Sequence, residues 1–469
     1  MKICIIAEGS YPYLTGGVSS WIQSIMTQMP EHEFIIYAIG DKTQLKGDFK
    51  YVFPTNLVEV KEIFLDEFLL DKGSWGHRFN LNESQQNDFL SLISGENQVN
   101  WSNIFDLLRS EKFSNASDFL SSKDYLDIVQ KLASDKYNLV PFTELFWTIH
   151  SMILPLFLTI RHDIPRADVY HSVSTGFAGV VGALAKHIHK KPLILTEHGI
   201  YSREREEEII KADWVKGYFK DLWIEYFYTL SGCIYDAADQ VVTLFNRNKE
   251  IEVEIGCNES KIDIISNGVD ITKFSDLKEP IRDGKIRIGA IVRVVPIKDI
   301  KTMIQSFGLI KNEVDNAELY IMGPVEEDPT YYKECLQMVE SMGLKDVVFT
   351  GEVQIKEYIN NMDIMMLTSI SEGQPLAILE GMACSKPFVT TNVGSCKELI
   401  YGRDDDYGNA GIVASVMHYE ELANGVIQLC GNEDLRKRMG ENGYHRVRNE
   451  YSHHAFIASY RNLYQSLGG

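Results

Sequence analysis

Short apolar segments alternate with helix-like segments along most of this chain. Parallel strands need a helical crossover between them, so this alternation predicts parallel sheets with helices on both faces. The expected strands lie at 2–7, 33–40, 167–173, 192–199, 240–245, 261–270, 285–292, 317–323, 346–353, 363–369 and 387–394. The fold class that follows is α/β.

The length of the chain predicts two domains. At 469 residues it exceeds what one hydrophobic core usually organises. A turn signal at 267–270 and the polar segment 274–284 that follows it indicate a linker. We expect one Rossmann-like domain at 1–276 and a second at 285–450. The segment 41–140 lacks the alternation and is too long for a simple loop, so we expect a mainly helical insertion in the first domain.

A strand, a glycine turn and a helix follow one another between residues 363 and 382. The helix is expected to begin near Pro375, which suits a first helical position, and its unpaired N–H groups would bind an anion. Glu372 precedes this helix, and Glu380 would lie roughly 7 to 8 Å along its axis. Two carboxylates around an anion site suit a nucleotide-sugar, which has hydroxyl groups at both ends and phosphates between them. The alternative is a surface glutamate and an unrelated glutamate on a helix face.

Two cations follow another expected strand. Arg293 and Lys298 lie in the loop between the strand 285–292 and a helix beginning near Asp299. A Rossmann-like unit places its ligand at this end of a strand. An arginine can form paired hydrogen bonds with phosphate oxygens and a lysine adds a point charge, so together they would neutralise a diphosphate. Each alone would be taken for a solvated surface charge.

Several stretches carry a family resemblance. The sequences GAIVRVVPIKD at 289–299 and SISEGQPLAILEGMACSKPFVTTNVG at 369–394 resemble the retaining GT-B glycosyltransferases related to glycogen and sucrose synthases. The signature of that family is E-x7-E with an upstream Arg and Lys. More narrowly, AEGSYPYLTGGVSSWI at 7–22 and LTEHGIYSRERE at 195–206 resemble the cytoplasmic glycosyltransferases of Pel exopolysaccharide synthesis. The resemblance covers nearly the whole chain apart from the expected insertion.

The resemblance implies a GT-B fold, in which two Rossmann-like domains face each other across a deep cleft. The N-terminal domain would be the acceptor side, and the C-terminal domain would bind the nucleotide-sugar. The tail is expected to be helical throughout 433–467, and 451–469 would pack back on the N-terminal domain. Many relatives have Phe where Gln374 stands and a Gly pair where Ser395 and Cys396 stand, which leaves the identity of the donor sugar open.

The resemblance also implies roles for individual residues. Arg293, Lys298 and the helix amides would stabilise the leaving diphosphate. Glu372 would orient sugar hydroxyls and Glu380 the ribose, and neither is assigned as a nucleophile. His198, after the strand 192–199, would contact the donor sugar, which makes the expected catalytic set Arg293, Lys298, Glu372 and His198. The remaining donor-binding residues would be Gly16, Gly17, Gly373, Gln374, Pro375, Leu376 and Val353.

Some of these residues have a structural alternative. Gly16 and Gly17 lack the dinucleotide fingerprint GxGxxG and could permit a turn with positive φ. A histidine at a strand end is often structural. Arg203 and Arg205 alternate with glutamates, which favours a salt-bridged solvent face over a role on the acceptor side.

Composition limits the partners and the compartment. There are 46 Lys and Arg against 66 Asp and Glu, a net charge of −20, which argues against nucleic acid as a partner. Seven scattered cysteines without CxxC spacing indicate free thiols and a cytoplasmic location. The N-terminus does not resemble a signal peptide, and the longest apolar run, 149–160, is too short to span a bilayer. The aromatic segment 218–230 is expected to be a core helix, with a membrane or partner face as the alternative.

No cofactor and no metal site are expected. Asp404, Asp405 and Asp406 superficially resemble the metal-binding DxD motif of the other glycosyltransferase fold. They follow a helix and Gly402 instead of ending a strand, so we expect a solvated turn.

These observations together predict a retaining, metal-independent glycosyltransferase. It would move a hexosyl or N-acetylhexosaminyl unit from a UDP-sugar to a growing exopolysaccharide, and would associate peripherally with a membrane polysaccharide-synthase complex. One alternative is a sugar-nucleotide epimerase or hydrolase on the same fold. Another is a catalytically inactive subunit that scaffolds a membrane synthase.

Overall fold

The computed structural model describes residues 1–70, 76–95, 98–113, 115–277, 279–403 and 405–468, which form two compact units. Unit 1 comprises Met1–Thr243, Asn248–Ile264 and the chain from Arg461 onward, and unit 2 comprises Leu244–Arg247 and Ile265–Tyr460. The predicted boundary at residue 276 therefore lies inside unit 2. Val269 explains the difference, because it is buried in the core of unit 2 and its N–H donates to the carbonyl of Tyr451 at 2.8 Å.

Unit 1 contains a seven-stranded sheet in which neighbouring strands pair in parallel. Its strands are β1 Lys2–Glu8, β2 Glu33–Gly40, β3 Leu57–Phe64, β4 Val169–Ser172, β5 Leu193–Glu197, β6 Gln240–Thr243 and β7 Ile262–Ile264. Their order is β3-β2-β1-β4-β5-β6-β7. The central strands are buried on both faces, which is why they read as continuous apolar runs.

Helices surround this sheet and form the rest of unit 1. They are α1 Gly17–Gln28, α2 Glu83–Ser94, α3 Trp101–Leu108, α4 Ala116–Leu120, α5 Lys123–Asp135, α6 Phe142–Arg161, α7 Gly176–His189, α8 Tyr201–Lys211, α9 Lys220–Ala237 and α10 Asn246–Glu254, which belongs to unit 1 from Asn248 onward. Four of them, α2 to α5, make the predicted insertion largely helical between 83 and 135. Each follows an Asn or Ser whose side chain accepts a backbone N–H of the first turn, so the polar residues that obscured the pattern are helix caps.

The predicted insertion is wrong at one element. Residues 57–64 lie inside the segment 41–140, yet they form β3, the parallel edge strand beside β2. Its sequence, LVEVKEIF, carries charged side chains, and its first six residues are at least partly exposed. An edge strand is not buried on both faces, so it lacks the continuous apolar run that identified the other strands.

The helix α6 is, within the described residues, the one long and apolar enough to cross a membrane by length and composition. It has 20 residues, whereas the sequence suggested an apolar run of only 149–160. Ten of its side chains are buried in the core of unit 1, which is the pattern of a core helix. The aromatic segment 218–230 lies mostly in α9, which also buries a face that includes Tyr226 and Leu230.

Unit 2 contains a second parallel sheet, of six strands. They are β8 Ile286–Ile291, β9 Ala317–Met322, β10 Val347–Gly351, β11 Ile364–Leu367, β12 Phe388–Thr391 and β13 Gly411–Ala414, in the order β10-β9-β8-β11-β12-β13. Its helices are α11 Ile300–Glu313, α12 Pro329–Ser341, α13 Ile355–Tyr358, α14 Leu376–Ala383, α15 Cys396–Tyr401, α16 Tyr419–Cys430, α17 Glu433–Glu450 and α18 His453–Gly468. The α/β class predicted from the alternation is confirmed in both units.

The tail is not one continuous helix, as the sequence suggested. It breaks between α17 and α18, where the carbonyl of Tyr451 accepts the N–H of Val269 and the N–H of His453 donates to the carbonyl of Val269. From Arg461 onward α18 belongs to unit 1. There the Arg461 guanidinium pairs with Glu31 at 2.6 Å, and the Tyr464 hydroxyl lies 2.7 Å from His171 Nδ1.

The expected solvated turn at 404–406 is corrected at Asp405, while Asp404 lies outside the described residues. Both carboxylate oxygens of Asp405 accept hydrogen bonds from Arg446, at 2.7 and 2.8 Å. The Arg446 side chain is completely buried and also donates to the carbonyls of Leu399, Ile400 and Gly408. This arginine therefore ties α17 to the loop before β13.

Replacing Arg446 should destabilise unit 2 strongly. In Arg446→Ala, Asp405 and three carbonyls would lose their partner inside the protein, and breaking a buried ion pair typically costs about 3–5 kcal/mol. Urea unfolding followed by circular dichroism measures the effect. Arg448→Ala, an exposed arginine on the same helix, is the matched control and should change the unfolding free energy by less than about 0.5 kcal/mol. Equal losses in the two variants would contradict this account.

Candidate active site

Each sheet reverses its strand order at one point. In unit 2 the reversal falls between β8 and β11, and in unit 1 it falls between β1 and β4. Loops that leave the carboxyl ends of strands on either side of such a reversal diverge and leave a crevice, which is where open α/β sheets bind ligands. The loops after β8, β11 and β1 are the ones to which the sequence assigned most of the candidate residues.

The loops after β8 and β11 are fastened to each other. The Ile370 N–H donates to the carbonyl of Ile297 at 2.9 Å, and the Thr368 hydroxyl donates to the carbonyls of Lys298 and Asp299. Asp299 has a positive φ of 48° and caps α11, its carboxylate accepting the N–H of Thr302. This turn reverses the chain immediately after Lys298 and fixes the place of that side chain.

Lys298 and Glu372 form an ion pair across the switch point of unit 2. The distance from Lys298 Nζ to Glu372 Oε1 is 2.6 Å, and the two side chains are only 16% and 11% exposed. The Ser369 hydroxyl donates to the same Oε1, also at 2.6 Å. The sequence analysis assigned Lys298 to the diphosphate of a donor and Glu372 to its sugar. In the structure the two side chains pair with each other.

Arg293 lies on the same loop but is more exposed. Its guanidinium pairs with Glu327 at 2.7 Å, and both side chains are about half exposed. The loop begins in close contact with Gly323, which has a φ of +155°. A Cβ at Gly323 would lie 2.1 Å from the carbonyl oxygen of Val292, so only glycine allows this contact. Glu327 was not predicted, and no spacing in the sequence connects it with Arg293.

The turn before α14 is held from two sides. Gly394 has a φ of +51°, and a Cβ there would lie 2.2 Å from the carbonyl oxygen of Glu372, so only glycine fits. The Ser395 N–H donates to the carbonyl of Gly373 at 3.0 Å. Pro375 is the residue that precedes α14, not its first helical residue as predicted, and Leu376 begins the helix.

Gln374 and Glu380 present polar groups on this side of unit 2. The Asn267 N–H donates to Gln374 Oε1 at 2.6 Å, which orients the amide, and the buried Gln374 Nε2 has no hydrogen-bond partner in the described part of the chain. Glu380 is the fifth residue of α14 and is half-buried. Burial raises the pKa of its carboxyl, an effect that the charge of Lys273 opposes. Val353 follows β10, the edge strand, and packs against the core of unit 2.

In unit 1 the structure brings His198 next to α1. His198 directly follows β5, and its ring lies edge-on to that of Trp21 on α1, with 5.0 Å between ring centroids. Burial lowers its pKa to about 4, so the imidazole is neutral at pH 7. Its Nε2 is buried and has no hydrogen-bond partner among the described residues.

Gly16 and Gly17 stand at the start of α1, in the loop after β1. Gly16 is fully extended, with a φ of 172°, and neither glycine lies in the left-handed region that favours glycine. A Cβ at either position would meet no atom within 4 Å. The described protein therefore does not need glycine at either position for its own backbone, and open space lies beside both.

Arg203 and Arg205 form the salt-bridged face that the sequence favoured. Both lie on α8, where Arg203 is 4.0 Å from Glu254 and Arg205 is 2.7 Å from Glu208. The Arg205 guanidinium also lies over the ring of Tyr201, 5.1 Å from its centroid.

Sequence reasoning missed three acids in unit 1, of which Glu197 and Glu252 are buried and Glu8 is partly buried. Glu8 ends β1, and its carboxylate accepts the Ala178 N–H at the start of α7 and the Tyr201 hydroxyl, both at 3.1 Å. Glu197 ends β5 and accepts the Tyr235 hydroxyl at 2.6 Å. Glu252 on α10 is completely buried. Glu8 and Glu197 could have been recognised from the sequence, because each is an acidic residue that ends an apolar strand, in IIAE and LTE respectively.

Burial raises the pKa of all three carboxyls. It raises the pKa of Glu197 to about 7 and that of Glu252 to about 9, and the negative charge of Glu197 adds to the effect on Glu252. A glutamate in the unfolded chain has an ordinary pKa of 4.5 and loses its proton above that pH. In the folded protein these carboxyls keep their protons to a higher pH. Stability conferred in this way is lost as the pH rises from that value through the folded-state pKa.

Glu252→Gln should reduce this pH dependence. Glutamine cannot ionise, so the unfolding free energy of the variant should fall less between pH 6 and pH 9 than that of the parent protein. The two decreases should differ by at least about 1 kcal/mol, which corresponds to roughly one pKa unit. Urea unfolding at both pH values is the measurement. Glu250→Gln changes an exposed residue of the same helix and should follow the parent curve. Parallel curves for the parent and Glu252→Gln would disprove the assignment.

Metal binding has no visible basis in the part of the chain that the structure describes. No group of three or more His, Cys, Asp or Glu side chains there is arranged to hold a metal ion.

Comparison with known proteins defines the class. Residues 272–446 match the family described as Glycosyl transferases group 1. An uncharacterised glycosyltransferase of Methanocaldococcus jannaschii is 28% identical over 306 residues, which cover 64% of this chain and 76% of that protein. The capsular polysaccharide biosynthesis glycosyltransferase CapM of Staphylococcus aureus is 24% identical, covering 62% of this chain and 74% of its own. The chain is therefore a glycosyltransferase, as predicted.

The family follows from the first part of the chain. Residues 1–260 match the family described as Domain of unknown function (DUF3492), and the chain belongs to that family. N-acetyl-alpha-D-glucosaminyl L-malate synthase of Bacillus anthracis is 30% identical over 173 residues, so this chain spans less than half of that relative, 43% of its length.

Solved structures share the fold over the whole chain. Anabaena Alr3699/HepE in complex with UDP superposes with a TM-score of 0.63 at 16% identity, with 100% of both chains covered. Sucrose-phosphate synthase from Thermosynechococcus elongatus superposes with a TM-score of 0.62 at 13% identity, covering 99% of this chain and 98% of that one. At these identities the likeness concerns the fold, and it confirms the predicted GT-B class of two parallel-sheet α/β domains.

Proposed function

We propose that this enzyme transfers a hexosyl or N-acetylhexosaminyl unit from a UDP-sugar to a growing exopolysaccharide, with retention of configuration at the anomeric carbon. The observation that carries the proposal is the arrangement at the switch point of unit 2. Lys298 and Arg293 on the loop after β8 lie on the side of the sheet where the loop after β11 carries Glu372 and leads into α14.

On binding, the donor diphosphate would replace two carboxylates of the protein as the partner of Lys298 and Arg293. Lys298 and Arg293 are each paired with a carboxylate, Glu372 and Glu327 respectively. Phosphate oxygens would compete for both cations, because they carry more charge and accept paired hydrogen bonds from arginine. Release of Glu372 from Lys298 would leave its carboxylate available to the hydroxyls of the sugar. Donor binding and orientation of the sugar would thus be one event.

The groups around the diphosphate would stabilise the charge that develops on it. When the bond between C1 and the phosphate oxygen breaks, positive charge appears on the sugar and negative charge on UDP. Lys298, Arg293 and the first N–H groups of α14 would face that negative charge, and electrostatic stabilisation of this kind is usually the largest contribution to catalysis. These cations support a reaction that does not require a metal ion.

Retention is proposed to occur on one face of the sugar. The acceptor oxygen would bond to C1 on the face that UDP leaves, and its proton would pass to the departing phosphate oxygen. Glu372 is not assigned as a nucleophile, because its carboxylate is proposed to bind the sugar hydroxyls and nothing in the site requires a second carboxylate opposite it. Glu380 would hold the ribose and the backbone near Val353 the base. The family resemblance adds Gly16, Gly17 and neutral His198 to the donor-binding groups.

The proposed acceptor and cellular location are inferred from similar proteins. CapM acts in capsular polysaccharide biosynthesis, and another relative, from Campylobacter jejuni, is named as an N-acetylgalactosaminyltransferase acting on a diphospho-undecaprenol sugar. The narrower resemblance is to PelF, so a Pel-like polymer, peripheral association with a membrane synthase complex and a cytoplasmic location are proposed with it. Seven free cysteines support a reducing compartment.

Substitution of Lys298 tests the proposal. Lys298→Met should lower kcat/KM for transfer from UDP-glucose, UDP-GlcNAc or UDP-GalNAc by at least about 100-fold, the usual effect of removing one group that stabilises the leaving charge. Lys301→Met, three residues further along and paired with Glu334 on the surface, is the control and should retain activity. EDTA should have no effect, and proton NMR should show the product with the anomeric configuration of the donor.

Three outcomes would overturn the proposal. UDP release that does not require an acceptor would indicate a hydrolase, and an altered sugar on UDP would indicate an epimerase. Polymer formation in cells that survives both Lys298→Met and Glu372→Gln would indicate a scaffold subunit without catalytic function.

A further inference from the structure

An aromatic surface of unit 1 is not used by the proposed reaction. Its centre is a cavity of about 300 Å³ between the first half of α6, the segment after α8 and the start of α9. We call it the tryptophan groove, and its principal lining residues are Trp147, Trp214, Trp223, Glu144, Thr148 and Lys216. Half of the chain's six tryptophans are therefore at this one place.

The tryptophans of the groove are unusually exposed. Trp214 is 70% exposed and Trp147 is 50% exposed, although tryptophan is normally among the more buried residues. Trp223 is partly buried and supports Trp214 in an edge-on contact with 5.5 Å between ring centroids. Clustered exposed aromatic side chains of this kind mark a binding surface.

Polar groups stand directly beside these rings. Lys216 Nζ lies 2.7 Å from Glu144 Oε1, and the Tyr218 hydroxyl donates to the other oxygen of Glu144. Thr148 and Ser151 add hydroxyl groups on α6. The groove thus offers flat apolar faces together with a carboxylate, an ammonium and hydroxyl groups. Pockets that bind small ligands combine aromatic walls with a few placed polar groups in this way, and usually begin at about 300 Å³.

We propose that the tryptophan groove binds a stretch of the glycan acceptor, as neutral pyranose rings, some sugar units away from the end that is extended. The C–H face of a pyranose ring is apolar and packs on an indole face, while its hydroxyl groups exchange hydrogen bonds with a carboxylate and an ammonium. This inference rests on the proposed function, which supplies a glycan as the acceptor.

The position of the groove fits this role. The helix α8 begins three residues after His198 and leads to the segment that carries Trp214. Its 11 residues span about 16 Å at 1.5 Å per residue. A chain held in the groove would raise the effective concentration of its own end for the next transfer, which lowers the KM of long acceptors and leaves kcat unchanged.

The charges around the groove disfavour an anionic membrane as its occupant. Lys211 is paired with Glu207, Lys216 with Glu144, and the Lys220 ammonium donates to the carbonyl of Ile210. The acidic side chains on α6, on α8, in the segment after α8 and in the first turn of α9 are Glu144, Glu204, Glu206, Glu207, Glu208, Asp213 and Asp221. Anionic lipids attract clusters of unpaired Lys and Arg, whereas a neutral glycan needs no net positive charge.

Oligosaccharide binding by the full chain tests the inference. Isothermal titration with maltohexaose, cellohexaose and chitohexaose should detect binding of at least one, and the double variant Trp147→Ala, Trp214→Ala should weaken it at least 10-fold. Trp214→Phe keeps a flat ring and should retain most of the affinity. Tyr419→Ala, an exposed aromatic of unit 2, is the matched control and should bind like the parent protein. With a long acceptor, KM should rise at least five-fold in the double variant, with kcat and UDP affinity unchanged.

Other results would overturn the inference in distinguishable ways. Equal oligosaccharide binding by the parent and the double variant, or no binding at all, would exclude a glycan site in the groove. Loss of binding to phosphatidylglycerol vesicles in the double variant, with unchanged oligosaccharide binding, would assign the groove to a membrane. A concentration-dependent dimer that the same substitutions abolish would assign it to a second copy of the chain. If UDP does not bind the parent protein, the proposed function fails, whereas the oligosaccharide titration still reports on the groove.

Discussion

The ion pair between Lys298 and Glu372 is the interaction on which the site of unit 2 depends. Removing two charges from water costs several kcal/mol per ion, so a pair this well buried adds little net stability. Its value is positional, because it joins the loop after β8 to the loop after β11 across the switch point of the sheet. A cation and a carboxylate are thereby held together at Glu372, in the turn that precedes α14.

In unit 1 the polar groups at the strand ends are carboxyls with raised pKa values. Glu8 ends β1 and Glu197 ends β5 of the same sheet. Glu8 is partly buried, Glu197 is buried, and each accepts a hydrogen bond from a tyrosine hydroxyl. Burial raises their pKa values and lowers that of His198, so this edge of unit 1 holds less charge near neutral pH than its sequence suggests. The switch point of unit 2, by contrast, holds a charged pair, Lys298 and Glu372.

The sequence predicted the strands and the charged loops because both follow from burial. A strand covered on both faces must be apolar, and a charge that follows it must lie at the sheet's edge. Features that depend on one particular tertiary contact escaped prediction. The edge strand β3 is too polar to resemble the others, and Arg446 draws Asp405 out of solvent. The tail breaks where it pairs with Val269, about 180 residues earlier in the sequence. The pairing of Lys298 with Glu372 is likewise a matter of distance in space, which no spacing along the chain reveals.

The most direct test of the account is a crystal structure of the enzyme with UDP. We expect the diphosphate oxygens within hydrogen-bond distance of Lys298 Nζ and the Arg293 guanidinium, the ribose at Glu380, and Glu372 no longer 2.6 Å from Lys298. UDP bound elsewhere on the protein, with the ion pair between Lys298 and Glu372 intact, would contradict the account.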